Sequence, residues 1–374
     1  MSKKIFLKVY TEFNVGDDLF IKIISERYPE VEFGIEAPSC YVEKFSRYEN
    51  VNIITIEKEG IIRRGWKFFL RKFKPSIYKD LVKKEVSLRY KNIGKQYDYF
   101  VSIGGSIFIQ SLELPVYYDI EYYDYMSKQF KEKFIIGANF GPFITHDYKE
   151  KFRSIYKDFT DVCFRETYSY NLFKEISSVR SEPDVVFVLD ITKLKEKQSK
   201  TVGFSIISPR NNVDPDKYVN KYIELMKFYL EKEYKVVLFS FCKEEGDESW
   251  INKIIKRGEF NDREVEKVFY NGDLDSFVNR YSQIELMYCG RFHSMILSML
   301  FNQSIVPIAY SKKMINALQD MDFSGSVVSI EEFENTEVSQ LNTMILENSY
   351  DISESKLFAN KQFLRLDELL LKKI

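Results

Sequence analysis

The stretch YCGRFHSMILSMLFNQSIVPIAYSKK, residues 288–313, decides how this chain is read. An apolar strand over 284–288 runs into Cys289-Gly290. Arg291 and His293 then stand at the mouth of a helix over 294–301. A second strand over 304–309 ends at Tyr310, with Lys312 and Lys313 just beyond. Neighbouring strand ends in an α/β sheet share one crevice at their carboxyl edge. Here that crevice would collect an arginine, a histidine, a tyrosine and two lysines. The chain has only two histidines, so one placed there carries weight.

The same rhythm extends outward on both sides. Strands are expected over 202–207 (ending in Ser208-Pro209-Arg210), 235–240, 266–270 and 327–330. Helices are expected over 216–231, 248–255 and 273–281. Upstream, the polar and unpatterned 192–200 reads as a link between domains. Before it, strands over 5–10, 51–56, 97–103, 134–138, 161–164 and 185–189 alternate with helices. The first helix, reaching Tyr28, follows Asn14-Val15-Gly16-Asp17 and is capped by Asp17 or Asp18. Several strands end in loop punctuation: Gly104-Gly105-Ser106, Asn139-Phe140-Gly141-Pro142, and Arg165-Glu166-Thr167-Tyr168-Ser169. Such alternation predicts parallel sheets covered on both faces. The expected plan is two Rossmann-like α/β domains, 1–191 and 201–345. A helix over 353–373, within a terminal segment 350–374, crosses back onto the first domain.

Length and composition set limits. A chain of 374 residues with 45% apolar residues exceeds one ordinary core. A net charge of −1 gives no global pull toward nucleic acid. Four scattered cysteines form no CxxC pair, which favours a reducing compartment over disulfides or zinc. No apolar leader and no run of membrane-spanning length are present, so a cytoplasmic location is expected. GxGxxG is missing, and no His/Asp cluster suggests a metal. No cofactor or metal is therefore expected.

One segment departs from the mean. Residues 58–95 hold thirteen lysines and arginines against three acids. Wound as a helix, 61–74 places Ile62, Trp66, Phe69, Leu70 and Phe73 on one face, and Arg64, Lys67, Arg71 and Lys74 on the other. Two readings stand. Either this basic insert lies in a membrane interface, or it packs its aromatic side on the domain.

Taken in order, Asn14-Val15-Gly16-Asp17, Gly104-Gly105-Ser106, the segment 137–142, Arg165–Ser169, Pro183-Asp184, Arg291-Phe292-His293 and Tyr310 with Lys313 resemble the polysaccharide pyruvyl transferase family, over about residues 10–325. The resemblance implies a shape similar to GT-B glycosyltransferases, with two Rossmann-like domains facing across a cleft. It implies transfer of a pyruvyl group from phosphoenolpyruvate to a saccharide of a cell-surface polymer or its lipid-linked precursor, as a ketal. The loop at Arg210 and the basic insert fall outside the shared pattern.

Phosphoenolpyruvate carries a phosphate and a carboxylate, which call for cations. Arg165, Lys313, Tyr310, Phe292 and Arg210 are the expected donor-binding residues. His293 is the expected acid that protonates C3, because imidazole titrates near neutral pH, and Arg291 its catalytic partner. Asn14, Gly16, Asp17, Gly104, Gly105, Ser106 and Ser169 are the expected acceptor contacts. Two alternatives remain: a GT-B glycosyltransferase using a nucleotide sugar, and a non-catalytic saccharide-binding relative.

Overall fold

The structure is a computed structural model; it describes residues 2–56, 60–110, 118–209 and 212–371. Among them, seven parallel strands form a first sheet: β1 (Lys4–Lys8), β2 (Glu32–Ala37), β3 (Val51–Thr55), β4 (Tyr99–Ile103), β5 (Glu132–Ala138), β6 (Asp161–Phe164) and β7 (Val179–Ser181), in the order β3-β2-β1-β4-β5-β6-β7. Six more form a second: β8 (Thr201–Ser205), β9 (Lys235–Ser240), β10 (Val265–Phe269), β11 (Leu286–Cys289), β12 (Ser304–Ala309) and β13 (Val328–Ser329), in the order β10-β9-β8-β11-β12-β13. Every paired strand is parallel. Central strands such as β4 and β8 are buried on both faces, which is why they read as continuous apolar runs. In each sheet the order reverses once, between β1 and β4 and between β8 and β11. Ligands of open α/β sheets bind at the carboxyl ends beside such reversals.

The chain forms two compact units. The first comprises 1–11, 20–185 and 360–374; the second comprises 12–19 and 186–359. The first core is aromatic: Phe100, Phe108, Tyr123, Phe140, Phe152, Tyr156 and Phe173 are buried and meet mostly edge-on or tilted, at 4.8–6.4 Å between centroids. The second is mixed, with Val202, Phe204, Tyr222, Leu225, Val236, Leu238 and Val306 among its fully buried members.

Several elements differ from expectation. The apolar run 185–189 is a 3-10 turn (Val185–Val188), and the outer strand is Val179–Ser181 instead. His146 opens the helix His146–Tyr156, capped by Thr145. The single helix expected over 353–373 breaks into Ser353–Ala359, a 3-10 turn Asn360–Phe363 and Leu364–Leu370. The break seats Gln362 inside the first unit, where its Oε1 accepts from Gly137 N–H at 2.9 Å and its amide donates to the Glu182 carbonyl at 2.7 Å.

Candidate active site

The helix Phe292–Leu300 follows β11 directly and is apolar on nearly every side, as a helix enclosed by its own unit must be. Ser294 and Ser298, one turn apart, both meet the Tyr281 hydroxyl, at 2.7 and 2.8 Å. That fixes the helix rotation. Its start is fixed at Ser205, the end of β8, whose Oγ accepts from Gly290 N–H at 2.8 Å and Arg291 N–H at 3.2 Å.

Arg291 caps this helix in extended conformation. Its guanidinium is buried and engaged. Nε donates to Asp247 Oδ2 at 3.1 Å, a second nitrogen to Asp247 Oδ1, and the third to Glu245. Asp247 is fully buried and also accepts from the Phe241 and Cys242 N–H groups, each at 3.0 Å. Burial pushes the Asp247 carboxyl above its ordinary value, even against the pull of Arg291. Burial pushes Glu245 the same way, but Arg291, Lys313 and the Asn14 amide outweigh it and hold that carboxyl low. For Arg291, burial opposes the charge, and the two carboxylates overcome it and raise its pKa. The expectation that Arg291 lies open to a ligand is therefore corrected: it is the keystone of the loop.

What stays accessible is beside it. His293 is half-buried, its ring edge-on to Phe292 at 5.2 Å. The imidazole lies over Gly16; a Cβ there would fall 1.6 Å from Nδ1. Gly16 belongs to the second unit together with Asn14 and Asp17, so these three stand on the histidine's side. Asn14 ties the turn together. Its Oδ1 accepts from Gly16 N–H at 3.0 Å, its Nδ2 donates to Glu245 at 3.3 Å, and Val15 N–H donates to the Phe241 carbonyl at 3.1 Å. Asn14, rather than an aspartate, thus serves the start of that helix. Asp17 is half-buried in its first turn, and Asp18 is buried and accepts from the Tyr270 hydroxyl at 2.6 Å. Lys313 closes the group: its Nζ lies 5.8 Å from the Phe292 ring centre and 5.1 Å from that of Tyr310. Lys312 is exposed.

The first unit holds the other expected residues. Arg165 is buried, not open. It pairs with Asp184 at 2.9 Å and donates to Asn139 Oδ1 at 2.8 Å. Gly105 gives it room, since a Cβ there would fall 2.6 Å from the guanidinium nitrogens. Gly104 is buried beside it, and Ser106 donates to the same Asn139 oxygen at 3.1 Å. Ser169 is fully buried, donating to Glu166 at 2.6 Å and accepting from Phe140 N–H at 2.7 Å. Arg165 and Ser169 are thus both buried and paired within the first unit, where they hold loops in place. Arg210 lies outside the described residues. Glu245 and Asp247 were missed; the only signal was an acidic residue on each side of Gly246, which takes a positive φ of 89° just before the helix Asp247–Gly258.

Two parallel α/β units, with basic and imidazole groups gathered at a strand-order reversal, define a two-domain enzyme scaffold of the GT-B kind. The chain belongs to the polysaccharide pyruvyl transferase family, whose model matches residues 14–312, and is an enzyme of that type. No curated protein matches it. Among solved structures it is similar to the UDP-GlcNAc 2-epimerase of Neisseria meningitidis bound to UDP-GlcNAc (TM-score 0.63, 9% identity, 99% of this chain and 100% of that one). It is also similar to the Methanocaldococcus jannaschii UDP-GlcNAc 2-epimerase (0.61, 11%, all of both chains) and to Anabaena Alr3699/HepE in complex with UDP (0.57, 12%, 99% and 100%). At these identities the likeness concerns the fold.

Proposed function

We propose that the protein transfers the pyruvyl group of phosphoenolpyruvate to two hydroxyls of a saccharide, forming a ketal on a cell-surface polymer or its lipid-linked precursor. One observation carries this reading: a half-exposed imidazole held over the bare Cα of Gly16, with the Lys313 ammonium 5.8 Å from the adjoining Phe292 ring. The imidazolium of His293 donates its proton to C3 of the enol, which becomes a methyl group while C2 becomes electrophilic. A saccharide hydroxyl adds to C2, and its proton returns to the imidazole. Phosphate leaves with the C2–O bond pair, the second hydroxyl closes the ring at C2, and its proton goes to the departing phosphate.

Arg291 is balanced by two carboxylates, so positive charge for the donor comes from Lys313 and protonated His293, joined by Arg291 only where the donor takes a carboxylate's place. The Glu245 side chain is 41% exposed, whereas that of Asp247 is 0% exposed. Glu245 is therefore the partner that a donor anion can replace at Arg291 without breaking the keystone. Tyr310 and Phe292 would flank the donor, and Asn14 and Asp17 border the same space.

The test incubates the protein with phosphoenolpyruvate and a panel of saccharides. Saccharide-dependent phosphate release with a ketal methyl signal in the product supports the reading. No phosphate release, with thermal stabilisation by nucleotide sugars alone, would favour glycosyl transfer instead. Thermal stabilisation by saccharide alone would favour a binding protein.

A further inference from the structure

The helix Ile61–Phe73 contradicts the usual arrangement of an amphipathic helix. Ile62, Trp66, Phe69 and Phe73 fall within roughly 60° of arc at 3.6 residues per turn, and that arc faces solvent. Ile62 is 90% exposed, Trp66 59%, and Phe73 61%. The rings form a continuous ridge: Trp66 stacks on Phe69 at 6.2 Å between centroids, and Phe69 meets Phe73 at 5.0 Å. The flank turned toward the protein is partly the charged one. Leu70 is buried, and Arg63 and Lys67 reach Glu85 of the following helix Pro75–Arg89 at 2.6 and 2.7 Å. Glu85 is held below its ordinary value by these two cations, although burial works against it. The salt bridges thus clamp the helix with its rings outward. In water alone, exposing four large apolar side chains in one row has no compensation.

Charge identifies what covers them. Thirteen basic residues against three acidic ones make 58–95 ten positive, in a chain whose total is −1. A second copy would bring a like-charged segment against this one and be repelled. A bilayer surface bearing anionic headgroups offers an apolar interior for the ridge and negative charge for its flanks. Lys72 and Lys74 are exposed on the flanks of the ridge. We infer that Ile61–Phe73 is a membrane-docking element, with the Trp66–Phe69–Phe73 ridge inserted at the headgroup boundary of an anionic leaflet. Among the described residues no helix is long and apolar enough to cross a membrane. The inference concerns surface attachment and is independent of which reaction the second unit performs.

The test is co-sedimentation of the full chain with phosphatidylcholine vesicles, with and without phosphatidylglycerol. Binding is expected only with the anionic lipid, weakening as salt rises. Trp66→Ser with Phe69→Ser is expected to reduce the partition at least about tenfold. Lys72→Glu with Lys74→Glu should do so by on the order of ten- to a hundredfold, since each charge near such a surface is worth roughly a fivefold change. All four positions are exposed, so circular dichroism and melting should stay unchanged. In a Trp250→Phe background, which leaves Trp66 as the sole tryptophan, its emission should shift to the blue on adding anionic vesicles. Absence of binding at low salt would overturn the proposal. So would a concentration-dependent dimer, seen without vesicles, that the ring substitutions dissolve.

Discussion

Each unit buries an arginine that leads from a strand end toward a helix, and each pairs it with a distant aspartate. Arg165 follows β6 and meets Asp184; Arg291 follows β11 and meets Asp247. The surroundings differ. In the first unit Asn139 and Gly105 complete a closed knot. In the second unit the third guanidinium nitrogen goes to the half-exposed Glu245, and the next turn of helix carries His293 over Gly16. The same local device thus makes a closed fastening in one place and stands beside the half-buried His293 in the other. An arginine after a strand does not show by itself which of these it is.

Removing either keystone breaks the comparison most severely. Arg291→Ala strands the buried Asp247, and Arg165→Ala strands Asp184. Each should cost about 3–5 kcal/mol in urea unfolding, and hydrogen exchange should place the loss in the unit that carries the substitution. A uniform loss over both units would contradict separate fastenings. Glycine substitutions separate chemistry from stability. Gly16→Ala displaces the imidazole and should lower kcat/KM about a hundredfold with little change in melting, because a misplaced acid loses its near-attack geometry. Gly105→Ala should instead lower the melting temperature, since it displaces a guanidinium already spoken for.

Lys313→Ala should raise the donor KM about tenfold, and Lys313→Arg should restore most of it. Glu245→Gln should lower the donor KM a few-fold by easing the exchange at Arg291; a raised KM would mean that Glu245 holds Arg291 in its working position. The smallest effect concerns pH. The hydrogen bond from Arg280 lowers Glu266 to about 2, against burial and with help from Lys235. Its contribution to the second unit is therefore complete above the ordinary glutamate pKa near 4.5, and it fades as pH falls toward 2. Glu266→Gln should flatten acid unfolding over that window.

Much of this was legible in the sequence. Lys235–Ser240 and Ser304–Ala309 were readable as strands from apolar runs bounded by polar turns, and the approach of Lys313 to Phe292 and Tyr310 followed from adjacent strand ends. Val185–Val188 was not, because a short buried apolar run has the same composition whether extended or wound as a 3-10 turn. The state of the two arginines was hidden as well. Their partners lie 19 and 44 residues away, and pairing at that range is set by packing rather than local pattern. The outward ridge of Ile61–Phe73 was visible as amphipathic, but periodicity does not say which face meets the protein.

The central claim is that His293 delivers the proton that turns the enol carbon into a methyl group. It is tested most directly by running the transfer in deuterium oxide and examining the product methyl by NMR, for the wild-type protein and for His293→Gln. The account predicts one deuterium per ketal methyl from the wild type, and product formation at least about a hundredfold slower from the variant, with melting unchanged. Ketal formed by His293→Gln at the wild-type rate would contradict it.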